Sequence, residues 1–575
     1  MIAVTQPPAT APATRIRTWP LLLTLVLVGF TLRIWGITFG LPYAYHVDEA
    51  LYNNVGRIVA EQGLRGLHPS FSGFQLATIA EHALLNRLWP LLRHLPLPPE
   101  VTITLTSRAE SFNLLGRLTS ATFGALTALP VFLLGRALWS REVGLLAALF
   151  TTLCYIHVRD SHFGVPDAMV CFLTVTAACV STRLYDRTGP AGYLLAGIVA
   201  GLAIGTKQLA WPILVIMFLF HMAAPRDGAA GTRGVRTWIS RAVDPKLLLL
   251  CASAVIVYLL CAPETVLRWK EFRTFWKATH DLGNQGGMDR LRLEDTGQFG
   301  TYLYTLWWGL GGVLTVLSAA GVAVSLVRPA SDRERILMLF PLLYFGFLLA
   351  PGNVFFARYA MSGLPFLILA AAALLWRVFA APLTRGARAA VVIGGIAAVV
   401  AQPVANIIKH DLVLSRTDTR TLAKEWIEHN IPAGSTVMLE FWWFGPFLAS
   451  ERRSVPFSTR TYNVMTRGAY GLSDFSDTFG PSKGTPLVDD YRSAGVEYIV
   501  SNSYSWGSHL IDRKEDEAKR QFYQSLDREA ELIQEFSPYV KNQTIPRIFD
   551  ETYGPATHLE RVERPGPALK IYRLK

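Results

Sequence analysis

Apolar runs of about 17 to 25 residues recur from Trp19 to Ile408, each long enough to cross ~30 Å of hydrocarbon, and nothing else in the chain constrains its fold as strongly. With only 17% charged residues and a mean hydropathy of +0.29, the 575-residue chain reads as a polytopic α-helical membrane protein, not a soluble enzyme. Disorder and collagen-like repeats are excluded on the same grounds. The runs place spans near 19–39, 113–135, 143–158, 166–183, 191–206, 209–224, 247–266, 301–326, 336–351, 357–378 and 390–408, about eleven in all. The first run follows a Pro, Ala and Thr rich tail and is expected to be retained as a span, since no small-x-small cleavage site follows it before Leu41-Pro42.

The formal charge of +12 would suit a nucleic-acid binder, but the basic residues sit mainly in short loops between spans. Arg136 and Arg141, Arg183 and Arg187, Arg226 to Lys246, Arg328 to Arg335, and Arg377 to Arg388 all fall on one side when the N-terminus is cytoplasmic. No nucleic acid is therefore expected as a partner. The same rule puts the chain after Ile408 outside, in a cell inner membrane. The five cysteines, Cys154, Cys171, Cys179, Cys251 and Cys261, lie in apolar segments without disulfide or zinc-ligand spacing.

The expected organisation is a cytoplasmic tail over 1–18, a membrane module over 19–410 and an extracytoplasmic α/β domain over 411–575. Two outer loops of the module are too long to be turns. In the first, 40–112, Leu51, Val55, Ile58 and Val59 predict a surface helix ended by Gly63, and Leu76, Ile79, Ala83, Leu84 and Leu88 predict a second. The other, 267–300, has the Gly283, Gly286 and Gly287 content of either a lid or a linker. In the tail, helix-like Thr419–His429 precedes strand-like Thr436–Leu439, and a helix near Leu487–Ala494 precedes a strand over Val496–Val500. The tail contains no glycine-rich phosphate loop and no nucleophile elbow.

Candidate chemistry clusters on the outer side. Asp48 and Glu49 begin a helix just beyond the first span, where the positive helix end favours carboxylates; Asp48 as a plain N-cap is the competing reading. Asp167 follows Pro166 at the start of the fourth span, which an ordinary helix start would also explain. Arg117, Lys207 and Arg358 are cations at the same membrane edge, and each alone could snorkel to headgroups. Taken with His162, they offer a phosphate several positive or hydrogen-bonding groups.

These residues, in this order, are where a resemblance enters. Asp48-Glu49, Arg117 in Leu115-Gly116-Arg117-Leu118-Thr119-Ser120, Asp167, Gly205-Thr206-Lys207 and Arg358-Tyr359 to Pro365 make residues 15 to 410 resemble the polyprenyl-phosphate-sugar-dependent GT-C glycosyltransferases. The protein O-mannosyltransferases (glycosyltransferase family 39) and the bacterial lipid A aminoarabinose transferase are the similar types. The resemblance implies inverting transfer of a monosaccharide from a polyprenyl-phosphate donor to a lipid, glycan or protein acceptor on the extracytoplasmic face. It implies Asp48 as general base, with Asp167 as a second catalytic carboxylate shaping the same cavity. Glu49, Arg117, His162, Lys207 and Arg358 become substrate-binding candidates that orient carboxylates or neutralise the departing phosphate. No cofactor is required by it. Two carboxylates and a phosphate could hold Mg²⁺ or Mn²⁺, but no dense acidic motif calls for a metal. In the first outer loop Ser70-Phe71-Ser72-Gly73-Phe74 stands where such proteins carry a Lys-Pro-Pro or Tyr-Pro-Pro type of sequence, so the donor sugar stays open. The alternative from another class is a transporter or lipid flippase, against which the absence of repeated halves counts.

Overall fold

The computed structural model describes residues 18–106, 111–186, 189–225, 235–284, 297–350, 355–380, 384–440, 443–451, 453–466, 487–510, 517–541, 550 and 554–574. The N-terminal tail and residues 285–296 of the second long loop, including Gly286 and Gly287, lie outside them.

The first two-thirds of the chain is helical. Among the described residues four helices are long and apolar enough to cross a membrane: Ser111–Leu138, Asp167–Tyr185, Trp238–Cys261 and Gly386–Asn430. Shorter apolar helices, Thr18–Ile34, Pro190–Thr206, Gln208–Ala223 and Leu364–Phe379, pack among them. Leu23, Leu27, Val255, Ile256, Leu260 and Ile393 are exposed on outer faces, as lipid-facing positions require. Inside, Phe150, Tyr155, Ile156, Phe220, Phe340, Phe366 and Leu369 belong to one continuous buried cluster.

Three expected spans depart from simple helices. The run over 301–326 is two helices, Gly297–Leu310 and Gly312–Val327, meeting at 117°. Gly311 lies between them at φ 89°, a conformation that favours glycine, and the amide freed at Gly312 donates to Gln402 Oε1 at 3.0 Å. The 143–158 run divides into Arg141–Thr152 and Tyr155–Asp160, and the 357–378 run opens as a 3₁₀ turn, Ala357–Ser362, before Leu364–Phe379. The last of these breaks carries Arg358.

Both helices expected in the first outer loop form, as Val47–Gln62 and Gly73–Leu92. Gly63 ends the first at φ 59°, and Leu76, Leu84, Leu88 and Leu91 are exposed along the second. The described part of the second long loop is no plain linker. Trp269, Phe272 and Trp276 recur at helical spacing and Trp269–Asn284 is a helix, tied down by Trp276 Nε1 donating to Gln208 Oε1 (2.8 Å) and Arg268 donating to the Arg65 carbonyl (2.8 Å).

Beyond the helix Arg385–Leu414 the tail builds a five-stranded sheet: β1 Thr436–Leu439, β2 Asn463–Thr466, β3 Tyr498–Asn502, β4 Ala530–Phe536 and β5 Leu569–Leu574. The order is β2-β1-β3-β5-β4, parallel among the first three and antiparallel where β5 joins β3 and β4. Alternation along the strands splits the core between two faces. Val437, Leu439, Tyr498 and Val500 meet Ala423 and Ile427 of the helix Thr419–Asn430, while Met438 and Ile499 meet Phe522 and Leu526 of Glu517–Glu529.

In the module, Gly197, Gly201 and Gly205 form a stripe on Pro190–Thr206 that lies against Pro245–Cys261. A β-carbon on Gly201 would stand 2.6 Å from the Ala254 carbonyl oxygen, so only glycine permits the approach. Gly201→Val is expected to destabilise the module by about 1–3 kcal/mol, read as a lowered thermal unfolding temperature in detergent. Gly346→Ala, where a β-carbon meets nothing within 4 Å, is expected to leave that temperature unchanged or raise it.

Candidate active site

The helix Val47–Gln62 is not capped by Asp48. His46 takes that role, its Nδ1 accepting from the Glu49 amide at 3.3 Å. Burial pushes the His46 imidazole well below its ordinary pKa, which leaves a neutral ring able to accept. Asp48 is thereby released from capping and projects from the first turn, its side chain 23% exposed.

The adjacent carboxylate behaves differently. Glu49 and Arg117 are both fully buried and paired in a fork, Nε to Oε1 and Nη2 to Oε2, each at 2.8 Å. The Gly164 amide adds a bond to Glu49 Oε1 at 2.7 Å, and Arg117 Nη1 donates to the Ile37 and Phe39 carbonyls at 2.8 and 2.6 Å. With every hydrogen-bonding edge engaged, this pair braces its end of the module.

Asp48 joins a second group. Arg358 Nη2 lies 2.5 Å from Asp48 Oδ2, and Arg358 Nε lies 3.8 Å from Asp167 Oδ2. Lys207 Nζ donates to Asp167 Oδ1 at 2.6 Å and lies 4.3 Å from the Tyr359 ring centroid. The Arg358 guanidinium rests on the Phe356 ring at 4.2 Å. Burial lowers the Lys207 pKa and Asp167 opposes that shift. The break at 355–362 explains how Arg358 gets there: the 3₁₀ turn carries it inward where a continuous helix would have carried it past. Asp48, Asp167, Lys207 and Arg358 are thus brought together: Arg358 spans the two carboxylates, Lys207 pairs with Asp167, and Asp48 is the most accessible of the four.

His162 is elsewhere. Its Nδ1 faces the Val158 carbonyl at 2.9 Å and its Nε2 faces the Trp35 carbonyl at 3.1 Å and Asp411 Oδ1 at 3.3 Å, with His410 Nδ1 on the same oxygen at 3.0 Å. Among the described residues, His162, His410 and Asp411 are the group whose ligand atoms lie close enough to hold a metal ion, within 4.8 Å of one another. The buried guanidinium of Arg33 acts on Asp411 and that of Arg159 on His410, and their positive charge opposes a divalent cation. The trio therefore reads as a brace joining the first helix exit, the 161–166 loop and the helix Arg385–Leu414.

Sequence reasoning missed several of these partners. Arg33, inside an apolar run, carried a visible signal, since an intramembrane charge demands a partner. Arg159 and Asp550 carried none toward each other, because they lie 391 residues apart in the chain, and His410 and Asp411 gave no sign of meeting His162 from a distant helix.

Residues 109–258 match the family of dolichyl-phosphate-mannose-protein mannosyltransferases. In fold, the chain is similar to the apo oligosaccharyltransferase of Archaeoglobus fulgidus, with a TM-score of 0.50 at 14% identity over 86% of this chain and 71% of that one. The oligosaccharyltransferase AglB of Archaeoglobus fulgidus, in complex with an inhibitory peptide and a dolichol-phosphate, gives 0.50 and 14% over 84% and 69%. ArnT of Cupriavidus metallidurans in the apo state gives 0.50 at 11% identity over 96% and 98%. No curated protein matches the sequence. The family match is confined to residues 109–258, and the likeness to these solved structures, at 11–14% identity, is one of fold.

If Glu49 and Arg117 brace the module, Glu49→Gln is expected to cost about 3–5 kcal/mol by leaving a buried guanidinium without its carboxylate. The double variant Glu49→Leu, Arg117→Met is expected to recover much of that loss, both read by thermal unfolding of purified protein.

Proposed function

We propose that the chain transfers a monosaccharide from a polyprenyl-phosphate donor to an acceptor hydroxyl at the extracytoplasmic face of the cell inner membrane. The observation that carries this reading is the pairing of an accessible Asp48 with Arg358, backed by Asp167 and Lys207. The dolichol-phosphate in the AglB complex supports a lipid phosphate as the leaving group. The basic loops support the orientation, with the N-terminus cytoplasmic and the sheet-bearing tail outside.

In this mechanism the acceptor oxygen attacks the anomeric carbon from the face opposite the lipid phosphate. The bond from that carbon to the phosphate oxygen breaks, its electron pair leaves with polyprenyl phosphate, and the configuration inverts. Asp48 takes the hydroxyl proton as the new bond forms. Arg358 and Lys207 offset the charge gathering on the departing phosphate in a water-poor site, where a fixed cation acts more strongly than in bulk water. Asp167 holds Lys207 at 2.6 Å, so it orients the cation that meets the phosphate. With these cations in place the reaction needs no resident metal. The acceptor is a lipid, a glycan or a protein.

The test is release of polyprenyl phosphate from a panel of polyprenyl-phosphate sugars by purified protein supplied with membrane extract. Folded Asp48→Asn is expected to lower sugar-dependent release ~100-fold or more, and Lys207→Gln to weaken it while raising the donor KM. Equal release by wild type and Asp48→Asn would remove Asp48 as the base.

A further inference from the structure

Besides meeting Tyr43 and Tyr45 through Pro456, Arg420 and Phe447, the tail reaches into the module at Arg159. Arg159, fully buried, donates through Nη1 to Asp550 Oδ2 (2.9 Å) and Asp160 Oδ1 (2.9 Å), through Nη2 to the carbonyls of Asp550 (3.0 Å) and Gly554 (2.9 Å), and through Nε to that of Pro555 (3.1 Å). Tyr155 donates to the carbonyls of Pro555 and Ala556 at 3.1 and 3.0 Å. Ala556 and Leu559 are buried in the same apolar cluster as the membrane helices. Asp550 is itself fully buried and holds φ 55°, a left-handed backbone that costs a non-glycine residue energy and persists only where its surroundings enforce it.

Two lines of contact run from this strip to the two sides of the Asp48–Arg358 pair. On one, Asp550 Oδ1 accepts from the Ala357 amide at 3.5 Å, and Ala357 is the residue before Arg358. On the other, Gly554, at φ 113°, lies so close to Phe163 that a β-carbon would collide with its ring. Phe163 stacks on His46 at 4.6 Å, and His46 caps the helix turn that carries Asp48. Because the same few tail residues touch both lines, we infer that Asp550 and the Gly554–Ala556 strip are positioning elements of the site, setting the separation of Asp48 and Arg358 through Ala357 on one side and Phe163 and His46 on the other. This rests on the glycosyl-transfer reading for its kinetic consequence but not for its structural one.

The test uses the full chain in detergent or nanodiscs. Folded, monodisperse Asp550→Asn is expected to lower kcat for polyprenyl-phosphate release roughly tenfold, with donor KM within about twofold, because misplacement acts on the reacting geometry. Hydrogen exchange over residues 355–362 is expected to quicken in the same variant. In an Arg358→Lys background, Asp550→Asn is expected to add little further loss, since both changes act on one group. Gly554→Ala supplies the other line: lower kcat with faster exchange over residues 46–52, and it decides the matter should Asp550→Asn fail to fold. Unchanged kcat and unchanged exchange would overturn the inference, as would a fully additive loss in the Arg358→Lys background. If wild type releases lipid phosphate from no donor, the transfer reading falls, and the exchange measurements still decide whether the tail holds the Arg358 segment.

Discussion

The buried fork between Glu49 and Arg117 sets the terms for the rest of the site. It anchors the turn that begins at His46 to the helix Ser111–Leu126, to the Gly164 amide and to the carbonyls that follow the first membrane helix. With that turn immobilised, the neighbouring carboxylate can be held at the edge of solvent. Two adjacent acids on one helix turn thus sit differently: Glu49 is locked into a buried pair, and Asp48 stays partly exposed beside Arg358. Burial decides between them, since a fully desolvated carboxylate is stable only when locked to a cation, whereas a partly wet one can exchange partners.

The second constraint is the irregular backbone at membrane depth. Breaks at Leu153-Cys154, Gly311 and Ala357–Ser362 would be costly in lipid, where every amide needs a partner. Here they occur against protein: Gln402 supplies an acceptor beside Gly311, and Tyr344 donates to the Tyr359 carbonyl at 2.7 Å. The break at Ala357–Ser362 carries Arg358, the residue that meets Asp48 and Asp167.

Hydropathy made the helical module legible, because apolar runs of that length have few alternatives, and short strand-like segments following helix-like stretches marked β1 and β3. The breaks were not, since a glycine in an apolar run gives no sign of its dihedral angle. Asp48, Asp167, Lys207 and Arg358 could be picked out as charges at one membrane edge, and they do converge. Glu49, Arg117 and His162 gave the same signal, yet the structure sets them in braces, because charge at an edge does not say whether it faces a cavity or a partner. Asp550 could not be found at all: it meets Arg159 across a long stretch of chain, and only the folded tail brings them together.

That meeting bears on how the molecule holds together. A guanidinium as deeply buried as Arg159 is tolerable only while its acceptors are present, and most of them belong to the tail. Helical module and tail are therefore tied through this contact: withdrawing the tail would strand a charge in the module, and loosening the module would remove the socket around Asp550.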